Sequence, residues 1–140
     1  MKPWIFYAVI SMVFAGFTSV IAKLGLSGIS GELGLTIRTC FVMVFVLAFA
    51  VFAVSRDQFA DITRNNYLWL GLSGLTTTLS WIFYYKALKD GEVSTIALID
   101  KGSMIVAVLL AFFILKEQIT SKTVLGGVLM ITGLLIIAKK

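Results

Sequence analysis

The chain has no histidine and a single cysteine, Cys40. Without histidine it lacks the commonest side chain for metal binding and for proton transfer near neutral pH. One thiol cannot close an intrachain disulfide, and Cys40 lies in an apolar stretch where a packing role is expected. There is no Cys/His cluster, no phosphate-cradling glycine loop and no Gly-x-Ser-x-Gly stretch. No catalytic residues, cofactor or metal are therefore expected, and the chain does not read as an enzyme. Charge is also scarce. Only 14% of the 140 residues are charged, whereas a soluble domain of this length needs a polar shell. The formal net charge is +5, but the basic residues stand singly between apolar runs. That is the pattern of membrane-helix ends and not of a nucleic-acid-binding patch.

What is present is hydrophobic. Such residues make up 59% of the chain and the mean hydropathy is +1.01, in runs as long as a bilayer is thick. Five segments stand out, at about 4–24, 33–54, 67–88, 93–115 and 124–138. At about 1.5 Å per residue, roughly 20 residues cross a 30 Å hydrocarbon core. The first four meet that length. The fifth is shorter, and Lys139 and Lys140 are expected to snorkel at its end. Lys2 ahead of an apolar run resembles a secretory signal, with Val20-Ile21-Ala22 as a cleavage site, but the run exceeds the roughly 7–15 residues of a signal core. A retained helix is expected.

The connections are brief. The first carries Gly25, Gly28, Gly31 and Gly34; the longest is 55–66, with Arg56, Asp57, Asp61 and Arg64; the third is Lys89-Asp90-Gly91-Glu92. The fourth runs from Lys116 to Lys122 and contains Glu117. None is large enough to be a domain, so the expectation is an all-α membrane protein, one five-helix bundle over 1–140. Small residues recur at four-residue spacing in Ser11, Ala15 and Ser19 and in Ser103, Ala107 and Ala111, with a shorter row of Gly74 and Thr78. Such rows let helix backbones approach in lipid, so helix contacts or a dimer interface are expected there.

Five spans place the two ends on opposite sides of the membrane. One side then carries Lys2, Arg56, Arg64, Lys116 and Lys122, five basic residues; the other carries Lys23, Arg38, Lys86, Lys89, Lys139 and Lys140, which makes six, with the deeper Lys101 left out. Orientation needs an excess of positive charge on one side, and there is almost none. Two readings stand: one orientation set by finer detail, or both orientations and an antiparallel homodimer, the physical equivalent of an inverted repeat.

Charges inside membrane helices usually face a bundle interior or water. Asp100 and Lys101 lie about two turns into the fourth segment, and Asp100 shares a helix face with Ser103, Ala107 and Ala111. Arg38 is about one turn inside the second. These three are expected to meet in a water-accessible vestibule with Lys23 and Lys86 at its mouth, a positive cluster favouring an anionic or zwitterionic solute. The plainer reading is that Asp100 neutralises Arg38 or Lys101 while the long lysines snorkel. Trp81 and Tyr84 either anchor at the interface or line the cavity.

The stretch Tyr84-Tyr85-Lys86-Ala87-Leu88-Lys89-Asp90-Gly91-Glu92-Val93-Ser94 resembles the junction of the third and fourth helices in EamA-type domains of the drug/metabolite transporter superfamily. Ile99-Asp100-Lys101-Gly102-Ser103 continues it. Phe113-Ile114-Leu115-Lys116-Glu117 then resembles the family's Leu-Gly-Glu signature, with Lys116 in place of the glycine. Thr123 to Gly133, with Gly126 and Gly133, is similar to the final helix, and Trp4 to Gly25 and Arg38 also fit. The resemblance implies half of an inverted-repeat transporter. It also implies secondary transport of small organic metabolites by alternating access, with a homodimer supplying the second half. The setting would be the plasma membrane of a prokaryote, with the bilayer and a solute as partners and no nucleic acid. The alternatives are a non-transporting membrane subunit that assembles with a partner, or a drug exporter like the small multidrug resistance proteins. Those have four helices and a glutamate in the first, where this chain has no acid.

Overall fold

The computed structural model describes residues 3–138; Lys2, Lys139 and Lys140 of the charge tally lie outside them. Helix α1 is Pro3–Gly25, α2 Gly31–Ala53, α3 Arg64–Asp90, α4 Val93–Asp100, α5 Ser103–Leu115 and α6 Ser121–Ala138, with a short 3₁₀ turn at Arg56–Phe59. Three stretches, Pro3–Gly25, Gly31–Ala53 and Val93–Leu115, are long and apolar enough to cross a membrane. Helix α3 has the length at 27 residues, but its polar residues dilute its apolar character.

Local chemistry sets the helix ends. Proline at the first position of α1 loses no hydrogen bond there. Helix α2 starts two residues before the expected Leu33, because Ser30 caps it and accepts from the Leu33 N–H at 3.2 Å. Glu32 in its first turn suits the positive end of the helix dipole. Helix α3 starts at Arg64, ahead of the expected Tyr67, because Thr63 and Asn66 cap each other reciprocally. The Thr63 N–H donates to Asn66 Oδ1 at 3.3 Å and the Asn66 N–H to Thr63 Oγ1 at 3.4 Å. Thr120 does the same for α6, accepting from the Thr123 N–H at 3.3 Å.

The expected fourth helix is not continuous. Its four-residue bonding is interrupted between Asp100 and Ser103, although Lys101 and Gly102 keep right-handed helical dihedrals. There the bonding tightens to three-residue steps, with the Gly102 N–H on the Ile99 carbonyl at 2.9 Å and the Met104 N–H on the Lys101 carbonyl at 3.1 Å.

Two compact units divide the chain, with the boundary inside α1. One is Ile21–Asp90; the other joins Met1–Val20 to Gly91–Lys140. In the first, α2 packs against α3. A Cβ on Gly31 would lie 2.8 Å from the Tyr85 carbonyl oxygen, so only glycine permits this approach. Leu26, Tyr85 and Leu88 gather at that end, and they are the buried hydrophobic residues among those described. In the second unit α4 packs against α6. Most large apolar side chains are exposed, which in water would leave too little core to offset chain entropy. In a bilayer, lipid covers them.

The small-residue rows lie mostly at the surface. Ser11, Ala15, Ser103, Ala107 and Gly74 are exposed, and only Ser19 and Ala111 are half-buried.

Candidate functional site

The anticipated vestibule residues divide between the two units. Arg38, Trp81 and Tyr84 belong to Ile21–Asp90, and Asp100 and Lys101 to the other.

Arg38 projects from α2 and its guanidinium carbon lies 4.3 Å from the centroid of the Trp81 ring on α3. The Tyr85 ring follows at 5.9 Å. Guanidinium groups stack on aromatic faces because the ring quadrupole attracts the cation and the planar group is weakly hydrated. Stacking uses the face of the guanidinium and leaves its N–H edges free. Arg38 Nη1 is buried and has no hydrogen-bond partner among the described residues, a condition that costs about 1–3 kcal/mol when nothing binds there. Tyr84 meets Tyr85 edge-on, with ring centroids 6.3 Å apart. Trp81 is thus one wall beside the arginine, Tyr84 lies against Tyr85, and Tyr85 is a contact that sequence reasoning missed. Its signal was the four-residue step from Trp81, which puts both rings on one face of α3.

Lys23 and Lys86 are already engaged. Lys23 Nζ donates to the Leu88 carbonyl at 2.6 Å and the Lys89 carbonyl at 3.0 Å. Lys89 Nζ donates in return to the Leu26 carbonyl at 3.2 Å. Lys86 pairs with Glu32 at 3.6 Å, an acid absent from the anticipated cluster.

In the other unit Asp100 and Lys101 form an ion pair at 3.7 Å, half-exposed on both sides. The pair sits where α4 ends and α5 has not begun. A Cβ on Gly102 would meet the Ile99 carbonyl at 3.0 Å and Leu134 of α6 at 3.3 Å, so the missing side chain lets the break lie close to α6. Among the described residues, no group of three or more His, Cys, Asp or Glu is placed to hold a metal ion.

Long apolar helices, an arginine stacked on a tryptophan and an ion pair at a helix break define a multi-pass membrane protein. The model of the EamA-like transporter family matches residues 2–139, and the chain belongs to that family of membrane transporters. It is similar to a protein of Sinorhizobium sp. described as an uncharacterized transporter in the cobO 3′ region, with 31% identity over 137 residues, 98% of this chain and 97% of that protein. No solved structure matches the chain.

Proposed function

We propose that this protein is a secondary transporter of small anionic or zwitterionic organic metabolites in the plasma membrane of a prokaryote. It works by alternating access as an antiparallel homodimer of five-span, single-domain protomers, each equivalent to half of an inverted-repeat carrier. The observation that carries this reading is Arg38, a guanidinium stacked on Trp81 with a buried Nη1 lacking a partner. A carboxylate or phosphate oxygen is the natural acceptor for that N–H, and the charge-assisted bond is stronger than a neutral one. Trp81 and Tyr84 shape the solute side. Asp100 serves as coupling or ion-pairing carboxylate, and Lys101 as a second positive contact.

Flux from proteoliposomes holding only this chain tests the proposal. Solutes bearing a carboxylate or phosphate are expected to move, and purely cationic ones not. Arg38→Gln should cut the rate at least about tenfold, and Arg38→Lys should recover little, because an ammonium lacks the planar fork. A folded Arg38→Gln protein working at the parental rate would sink the site assignment. Asp100→Asn and Lys101→Gln variants at the parental rate would remove those two residues from it.

A further inference from the structure

A second feature of the Ile21–Asp90 unit is independent of Arg38: an open groove of about 480 Å³ between α2 and α3. We propose that it holds the headgroup and first chain segment of a zwitterionic phospholipid, with a primary ammonium at Glu32 and the phosphate at Lys86.

The groove's chemistry is ordered along its length. At one end stand Glu32, in the first turn of α2, and Lys86, about one turn before the end of α3. Gly31 touches the Tyr85 backbone, which puts the two charges at the same level. The walls then run inward past Leu35 and Ile82 to Thr39 and Thr78. Eight residues separate Lys86 from Thr78, so the groove extends about 12 Å from the charges toward the membrane interior. A polar end at the helix termini followed by an apolar channel has the shape of an amphiphile. Helix ends lie at the headgroup level, and lipid is the most concentrated amphiphile there.

The charges choose the headgroup. Glu32 and Lys86 are 3.6 Å apart and both largely exposed, a weak pair that exchanges readily for outside partners. Their sum is zero, so the site matches a headgroup carrying both signs better than an anionic one. The hydroxyls refine this further. Thr36 donates to the Glu32 carbonyl at 2.9 Å and Thr39 to the Leu35 carbonyl at 2.8 Å. Their protons are used within the helix, and what remains toward the groove is oxygen lone pairs. Those of Thr36, one turn from Glu32, accept from a primary ammonium and have nothing to offer a quaternary one, while Thr39 lies further in beside the chain segment.

Native mass spectrometry of the full-length protein, titrated with defined lipids, tests the assignment. Phosphatidylethanolamine is expected to be retained about fivefold more tightly than phosphatidylglycerol or phosphatidylcholine. Neutralising the two charges separately should move the preference in opposite directions. Glu32→Gln leaves a net positive site and shifts it toward phosphatidylglycerol, whereas Lys86→Gln leaves a net negative site and shifts it away. A pair that only braces the helices would give two variants with the same lipid preference, and that result overturns the proposal. So does equal retention of the three lipids by the parental protein. Soluble phosphoethanolamine at tenfold higher concentration should fail to compete; effective competition would assign the site to a free solute instead of a lipid.

Discussion

Among the described non-glycine residues Lys116 alone has a positive φ, at 58° with ψ 28°. It follows the last turn of α5, and both its own N–H and that of Glu117 return to the Ala111 carbonyl. This is the left-handed termination that glycine usually supplies. The EamA signature has glycine here, and the backbone gives the physical reason. A side chain in this region costs roughly 1–2 kcal/mol, while an exposed ammonium beyond a helix C-terminus returns about 0.3–1 kcal/mol. The first effect is larger. Lys116→Gly is therefore expected to stabilise the protein by about 1 kcal/mol, and Lys116→Val to destabilise it by more, read from thermal or denaturant unfolding in one detergent. A lower melting temperature for the glycine variant would contradict the conformational account. The left-handed backbone was not read in advance, although the departure from the motif was legible as a single letter. The partnerless edge of Arg38 was not, because only the placement of α3 decides which of an arginine's N–H groups find acceptors.

At the scale of helices, the lysines near the chain's turns separate into two kinds that composition cannot distinguish. Snorkelling would have left Lys23 and Lys86 equivalent. Instead, Lys23 crosses from the end of α1 to the last carbonyls of α3, and Lys89 crosses back to Leu26 beyond α1. Each cation meets a helix C-terminus, where carbonyls lack intrahelical donors and the dipole favours positive charge. The Lys23 bond to Leu88 is part-buried, whereas the Lys86–Glu32 pair is largely exposed. Removing a donor from a part-buried bond costs about 1–3 kcal/mol; an exposed ion pair contributes about 0–1. Lys23→Met should therefore destabilise the protein by at least about 1 kcal/mol more than Lys86→Met, measured by unfolding under identical conditions. Equal losses would show that the clasp adds nothing beyond a surface pair. The positions of the long apolar helices were readable from the sequence, since a run of apolar residues needs no knowledge of its neighbours. The early starts of α2 and α3 depended on Ser30, Thr63 and Asn66 and were readable to within a turn. The break at Lys101–Gly102 was hidden, because the run stays apolar on both sides and Gly102 takes its meaning from Leu134 on a distant helix. Glu32 was passed over for the same reason: its partner lies more than fifty residues away.

For the whole molecule, the proposed antiparallel dimer rests on two independent features. With the five spans proposed, the basic residues outside the helix interiors, Lys101 left out, would divide almost evenly between the two sides, five against six. In addition, the small residues suited to close helix approach, Ser11, Ala15, Ser103 and Ala107, are exposed on the single chain. Lipid has no need of such rows, but a second copy does. If orientation is balanced, a few added charges should tip it. Two lysines added to the 55–66 connection should drive that connection to the cytoplasmic side. Two added between Gly25 and Ser30 should drive the chain the other way. Cysteine accessibility in whole cells, with Cys40 replaced by serine and one reporter cysteine placed in either connection, reads the orientation of each variant. The unbiased parent should label from both sides of the membrane at either connection, and each biased variant from one side. Transport then separates a dual-topology dimer from a monomeric carrier. Either biased variant alone should fall to background flux, and co-expression of the two should restore it, because only the mixture contains oppositely oriented copies. Full flux from one biased variant alone would rule out the antiparallel arrangement, while leaving Arg38 to be judged by its own substitutions.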